Sequence, residues 1–308
     1  MSVICHLFDF VQFNYFEILL LELFYADNID MKISYLVFLF VVLLLCGCSH
    51  HSPIERLENA DQLAIQHGWQ RTTLNTKPFE LISYFPKNIT SNDLLTVYIE
   101  GDGFAWRTSR RPSSDPTPHK PVALNLALQD PNDSVAYLAR PCQYQNDLEK
   151  SPLCDHVFWT NKRYATEVIH ASEQALTQLK DRFNASKLIL VGYSGGGAVA
   201  ALLAARRDDV VKLITVAGNL DHQAWTQLHN LTPLTGSLNP ADYRERLQSI
   251  PQVHFVGEND NNVPPSLNKN FIAAYDSDKF ATVIVVPKQS HNCCWQEIWP
   301  QILLNNNY

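Results

Sequence analysis

Residues 187–207 read KLILVGYSGGGAVAALLAARR, and this stretch decides the fold. Lys187 to Gly192 is a near-continuous apolar run, the mark of a strand buried on both faces. Ala198 to Arg207 is Ala-rich and helix-forming. Only Gly192-Tyr193-Ser194-Gly195-Gly196 and one further glycine lie between the two. The chain must therefore pass from strand to helix within a few residues. So tight a turn forces a strained backbone at its apex and small side chains beside it, and Gly192 and Gly196 meet the second demand. The Ser194 hydroxyl then stands at a helix N-terminus, where the positive end of the dipole favours developing negative charge. A Gly-rich strand-to-helix turn also suits a phosphate, but no Lys-Ser/Thr follows these glycines, which disfavours a Walker loop.

Working outward, strand and helix patterns alternate. Leu81–Phe85, Leu94–Glu100 (LLTVYIE), Ser134–Ala139, Val211–Ala217, Val253–Val256 and Thr282–Val286 read as strands. Val122–Gln129, Tyr164–Phe183, Pro265–Tyr275 and the segment from Trp295 onward read as helices. The second of these carries Val168, Ala171, Ala175, Leu179 and Phe183 along one face. This alternation predicts an α/β fold, a mostly parallel central sheet flanked by helices. Residues 101–121, with a Pro/Ser-rich loop from Ser109, and residues 221–250 are long connections. Such connections tend to be functional, and these are the expected short cap or pocket-wall insertions.

The pentapeptide around Ser194, set between a buried strand and a helix, resembles the G-x-S-x-G nucleophile elbow of the α/β-hydrolase superfamily, and the resemblance extends over roughly residues 70–308. It implies Ser194 as nucleophile and the backbone N–H of Gly195 as a donor to an oxyanion. In this superfamily an acid and then a histidine follow the serine. Gly257-Glu258-Asn259-Asp260, followed by Val263-Pro264, is similar to the acid loop G-x-x-D-x-x-V-P and points to Asp260. Asp221 is the alternative, because Gly218-Asn219-Leu220-Asp221 ends an earlier strand and some members place the acid there. Either aspartate could instead cap a turn or helix. His291, in Pro287-Lys288-Gln289-Ser290-His291, is the only one of eleven histidines after the last strand and the implied general base. The second oxyanion donor is expected just after Leu94–Glu100, at Asp102 or Gly103 in Glu100-Gly101-Asp102-Gly103. A carboxylate there opposes an oxyanion unless it is paired, and Arg107, Arg110 or Arg111 are the nearby cations. Arg107 and Tyr193 are candidate substrate contacts. Trp106, Trp159, Trp225 and Trp295 serve either an apolar pocket or core packing.

The implied reaction is hydrolysis of an acyl bond in a small molecule, an ester first, with peptide, amide or thioester as alternatives on the same residues. No cofactor is called for. No second ligand pair at zinc spacing accompanies Cys293 and Cys294, so no metal site is expected. A membrane-associated lipase is a weaker reading because the connections are short for a large lid. A non-catalytic envelope binding protein on the same scaffold is the reading from a different class.

Composition sets the remaining bounds. Of 308 residues, 46% are hydrophobic and 18% charged, enough for one large core. A net charge of −7 without a Lys/Arg block argues against nucleic acid as a partner. Residues 1–30 hold Asp9, Glu17, Glu22, Asp27 and Asp30 but no Lys or Arg, the wrong charge for the start of a secretion signal. Met31-Lys32 then opens an apolar run, Ile33 to Leu45, that is short for a membrane span. It ends in Leu45-Cys46-Gly47-Cys48, which resembles a bacterial lipoprotein box. The expectation is thus an upstream over-extension over 1–30, a signal peptide over 31–48 lipidated at Cys48, a tether with a short helix over 49–69, and the hydrolase-like domain over 70–308. Ser49 in place of Asp points, by the same resemblance, to the outer rather than the inner membrane. Cys142, Cys154, Cys293 and Cys294 are even in number, as an oxidising compartment favours. A Cys142–Cys154 bridge closing a short loop is favoured. Cys293 and Cys294 then pair with each other or stay reduced, and a bridge from Cys142 to either of them is the rival.

Overall fold

The structure, a computed structural model, describes residues 52–146, 153–277 and 279–305. The signal-peptide reading and Cys48 lie outside the described residues. Among those described, no helix is long and apolar enough to cross a membrane.

The described residues open with α1 (Pro53–Gln66), β1 (Trp69–Leu74), β2 (Leu81–Pro86) and β3 (Leu94–Ile99), then a hairpin of β4 (Trp106–Thr108) and β5 (Arg111–Pro112). Next come α2 (Val122–Ala127), β6 (Val135–Leu138), α3 (Thr166–Phe183), β7 (Lys187–Tyr193), α4 (Gly195–Arg206), β8 (Val210–Val216) and α5 (His222–Leu228). The chain ends with α6 (Arg244–Leu247), β9 (Gln252–Gly257), α7 (Pro265–Ala273), β10 (Ala281–Val286) and α8 (Trp295–Asn305).

Eight strands form one sheet in the order β1-β2-β6-β3-β7-β8-β9-β10. From β6 to β10 every pairing is parallel, while β1–β2 and β2–β6 are antiparallel. The mostly parallel α/β architecture read from the sequence is the observed one. The central strands are apolar on both faces because helices cover both: α3 and α4 pack in one core layer, α1, α2 and α8 in the other. Helix α3 turns its Val168-to-Phe183 stripe inward and stops at Asn184, which adopts the left-handed conformation at φ 53°. Helix α4 is buried over nearly its whole length, and its Gly and Ala side chains allow close approach to β7 and β8.

The sequence reading departs from the structure at the N-terminal edge. Residues 53–66, where a tether with a short helix is expected, form a 14-residue helix that packs on the domain and is opened by a capping box between Ser52 and Glu55. Its Leu57, Ala60 and Ala64 are buried in the α8-side core. Residues 69–74 add the edge strand β1, hidden in sequence because WQRTTL carries polar side chains that an edge strand tolerates. The Pro/Ser-rich stretch contains the β4–β5 hairpin rather than loop alone.

Topology places the site. The chain runs from β3 to β6 on one side of it, then returns to β7 on the other side. The segments leaving the C-terminal ends of β3 and β7 therefore flank a switch point, the crevice where open α/β sheets take ligands.

Candidate active site

Ser194 follows β7 with φ 51° and ψ −120°, a left-handed backbone that costs a non-glycine residue about 1–3 kcal/mol. The surroundings enforce it. The Ser194 N–H donates to the Val216 carbonyl at 2.9 Å, and its own carbonyl accepts from the N–H groups of Gly197 at 2.9 Å and Asn219 at 3.1 Å. Neighbouring side chains must be absent. A Cβ at Gly192 would lie 2.3 Å from the Gly196 carbonyl oxygen, and one at Gly196 would lie 2.3 Å from that of Ile99. Helix α4 begins at the next residue, so its N-terminal dipole points at the serine.

Three distant segments converge here. Ser194 Oγ lies 2.9 Å from His291 Nε2, and His291 Nδ1 lies 2.8 Å from Asp260 Oδ2. Asp260, in the turn after β9, is buried, and its Oδ1 accepts from the N–H groups of Asn262 at 2.9 Å and Val263 at 2.7 Å. Those bonds turn Oδ2 toward the imidazole. With Nδ1–H donating to the carboxylate, Nε2 is the free base facing the hydroxyl.

The histidine loop is pinned through its backbone. The His291 carbonyl accepts from the Tyr193 hydroxyl at 3.0 Å and the Trp295 indole at 3.2 Å. Tyr193 also donates to Asn292 Oδ1 at 2.8 Å. This corrects the reading of Tyr193 as a substrate contact: the side chain is buried and its hydroxyl is committed to the His291 loop. Burial and the nearby carboxylates Glu100 and Asp260 push that phenol well above its ordinary range. The alternative acid, Asp221, caps α5 through the N–H groups of Gln223 and Ala224 and pairs with Arg244. It makes no bond to His291.

The two candidate oxyanion donors after β3 separate. Asp102 lies directly against Gly195, whereas Gly103, at φ 66°, packs on the Pro116 carbonyl and the Gln143 amide. No hydrogen bond among the described residues uses the backbone N–H of Asp102 or Gly195. The Asp102 carboxylate is paired, but with Arg140 at 3.2 Å and Arg163 at 2.7 Å. This corrects the expectation of Arg107, Arg110 or Arg111, which lie on the β4–β5 hairpin, Arg107 fully outward. Burial would raise the Asp102 carboxyl; the two guanidiniums outweigh it and hold it below its ordinary value. Glu100 has the opposite fate. Desolvation raises it to about 7 despite hydrogen bonds from the N–H groups of Gly101 and Ala123 and the Tyr137 hydroxyl. Arg140, Arg163 and Gln143 were not singled out in the sequence, where each reads as an ordinary polar residue.

A cavity of about 700 Å³ opens beside His291, with His119, Lys120, Asn125, Asn259, Asn262 and Cys293 on its walls. The two long connections build its surroundings. Residues 101–121 bring His119 and Lys120, and α5 braces the acid loop through a Trp225 indole bond to the Asn262 carbonyl at 2.9 Å. Trp159 and Trp295 are core, and Trp106 is exposed. Cys142 is bridged to Cys154, and Cys293 to Cys294. Among the described residues, no cluster of His, Cys, Asp and Glu is arranged to hold a metal ion.

Comparison with known proteins agrees with this fold. Among solved structures, the chain is similar to an α/β serine hydrolase homologue from Coxiella burnetii (TM-score 0.52, 15% identity, 78% of this chain and 97% of that one). It is similar to Est1E from Butyrivibrio proteoclasticus (TM-score 0.50, 15% identity, 76% and 96% covered). It also resembles the esterase Pf2001 of Pyrococcus furiosus (TM-score 0.54, 13% identity, 76% and 90% covered). At such identities the likeness carries the α/β-hydrolase fold alone. No curated protein matches the chain in sequence. The family model described as serine hydrolase (FSH1) matches residues 119–292, more than half of the sequence, and the chain therefore belongs to that family of serine hydrolases.

Proposed function

We propose that this enzyme hydrolyses small carboxylic esters through an acyl-enzyme on Ser194. The observation that carries the reading is the unbroken relay from Ser194 Oγ to His291 Nε2 and from His291 Nδ1 to Asp260 Oδ2. Ser194 Oγ attacks the ester carbonyl carbon as its proton passes to His291 Nε2, and the carbonyl π pair moves onto oxygen. The N–H groups of Gly195 and Asp102 receive that oxyanion. Asp260 holds the imidazole tautomer and balances the imidazolium. Collapse of the tetrahedral species breaks the C–O bond, and His291 returns its proton to the leaving alkoxide. Water, deprotonated by His291, then attacks the acyl-enzyme and releases the acid and the free serine.

The cavity beside His291 supports a compact, polar substrate. Amide, imidazole and ammonium groups line it together with Pro121, Val122 and Cys293, and at about 700 Å³ it is the size of a small-molecule site. The test is a series of p-nitrophenyl esters from acetate to palmitate. Faster turnover of the short esters, lost in Ser194→Ala, supports the reading. Folded protein that turns over none of them overturns it and favours a binding role for the same scaffold.

The location proposed is the bacterial envelope, anchored by a lipid on Cys48. Its support is the Leu45-Cys46-Gly47-Cys48 sequence preceded by a short apolar run. Metabolic labelling with a fatty-acid analogue, compared between wild type and Cys48→Ala, tests it. Equal labelling of both contradicts the anchor.

A further inference from the structure

The turn after β3 is wedged against the serine. A Cβ at Gly101 would lie 3.4 Å from Ser194 Cβ, and one at Gly195 would lie 2.1 Å from Asp102 Oδ1. Two of the turn's four residues are glycine, and beside the Gly101 N–H bond to Glu100 Oε1 at 3.0 Å its side-chain restraints come from outside. Arg140 Nη1 donates to Asp102 Oδ1 at 3.2 Å, Arg163 Nη1 to Oδ2 at 2.7 Å, and the Tyr164 hydroxyl to Oδ2 at 3.3 Å. Gln143 Nε2 donates to the Gly101 carbonyl at 3.0 Å, while Gln143 Oε1 accepts from the Arg140 N–H at 3.0 Å. The arginines are themselves locked: Arg163 Nε donates to the Thr160 carbonyl at 2.6 Å and Arg140 Nη2 to the Arg163 carbonyl. Arg140, Gln143 and Arg163 are all buried.

Two guanidiniums face one carboxylate, which leaves an excess of one positive charge in a low-dielectric setting. The same charge would be worth little in water. It lies behind the turn that adjoins Ser194 and Gly195, where the carbonyl oxygen of a reacting ester gains negative charge. Across the turn, the Glu100 carboxyl accepts from the Gly101 N–H at 3.0 Å.

We propose that Arg140 and Arg163, with Gln143, are positioning residues of the oxyanion site: acting through Asp102 and the Gly101 carbonyl, they fix the turn against Gly195. The inference rests on the ester-hydrolase reading above. None of the three side chains touches the reacting atoms. Their effect belongs to the transition state, where the turn must present its N–H, and not to ground-state binding.

The experiment is steady-state kinetics on p-nitrophenyl acetate with Asp102→Asn, Arg163→Met, Arg163→Lys and the double variant Asp102→Asn/Arg163→Met. We expect kcat to fall by about 30-fold or more in Asp102→Asn and Arg163→Met, with KM within about threefold of wild type. Arg163→Lys should recover about a tenth or more of the wild-type rate, since the charge is retained. The double variant should be no more than about threefold below the weaker single one, because both changes cut the same link. Single variants within about threefold of wild-type kcat, a loss carried by KM, or losses that multiply in the double variant overturn the proposal. Should Arg163→Met fail to fold, the near-isosteric Asp102→Asn decides alone by the same kcat criterion. A wild type that is inactive on every ester and unlabelled by a fluorophosphonate overturns the hydrolase reading and this inference with it. An active wild type with unaffected variants overturns the inference only.

Discussion

The Asp102 carboxylate fills the space that any side chain at position 195 would need: a Cβ there would come within 2.1 Å of Oδ1, 2.5 Å of Cγ and 2.7 Å of Oδ2. Ion pairs with Arg140 and Arg163 prevent the carboxylate from swinging aside. Gly195→Ala must therefore displace the turn after β3, and we expect kcat to fall at least about tenfold, since a shift of about 1 Å at a reacting centre is enough for that. At Gly196 the obstacle is backbone, the carbonyl oxygens of Ile99 and Glu100 at 2.3 and 2.5 Å. Gly196→Ala should destabilise the fold by about 1–3 kcal/mol through overpacking and so lower the thermal midpoint far more than Gly195→Ala does. Equal melting curves for the two variants contradict this assignment.

The two aspartates considered as the acid should behave differently. Asp260 accepts two backbone N–H bonds and faces His291, so Asp260→Asn keeps the shape but presents the wrong partner to Nδ1–H. Turnover should drop by about 10⁴-fold with little change in KM. Asp221→Asn should leave kcat within about threefold. Its effect should be on stability, about 1 kcal/mol or less, through the α5 cap and the Arg244 pair. Kinetics and urea unfolding of both variants separate these roles.

Glu100 sets a pH dependence of stability. Burial raises its carboxyl from an ordinary value of 4.5 to about 7. Between those two pH values the folded protein holds a proton that the unfolded chain has lost, so this group makes stability fall as pH rises through the window. The hydrogen bonds from Gly101, Ala123 and Tyr137 oppose that fall without cancelling it. Glu100→Gln should flatten the slope and raise stability at pH 8, by on the order of 1–3 kcal/mol. Urea denaturation at pH 5, 6, 7 and 8 checks the sign. A variant less stable than wild type at pH 8 contradicts it.

The Cys142–Cys154 bridge closes a loop with a sequence separation of 12. Constraint of the unfolded chain by a loop of this size is worth roughly 2–4 kcal/mol. Cys142→Ser/Cys154→Ser should lose about that much in denaturant unfolding. Because Arg140 and Gln143 flank Cys142, kcat should fall as well, and unchanged kcat would separate the bridge from the oxyanion turn.

The sequence exposes those features whose physics is local. The run Lys187–Gly197 reveals strand, turn and helix together, because burial on both faces, a tight reversal and small flanking residues all leave marks on neighbouring positions. The aspartate at 260 and the histidine at 291 are legible from their place just after apolar strands. The partners of Asp102 are not. Arg140 and Arg163 lie 38 and 61 residues away in the chain, and nothing local distinguishes them from surface cations. The nearer Arg107 and Arg110, attractive by proximity in sequence, point to solvent on a hairpin that is too short to register as strands. Tyr193 misleads for a related reason. Its position beside Ser194 invites a contact with substrate, yet the pleat turns it toward the His291 loop. The edge strand β1 and the packed face of α1 escape because polar residues outnumber the few apolar ones that reach the core.

The most direct test of the hydrolytic centre is reaction of the folded protein with a fluorophosphonate, followed by peptide mass mapping. The account predicts one adduct, on Ser194, absent in Ser194→Ala and formed at least about 100-fold more slowly in His291→Ala. An adduct on another serine, or equal modification of Ser194→Ala, would contradict it.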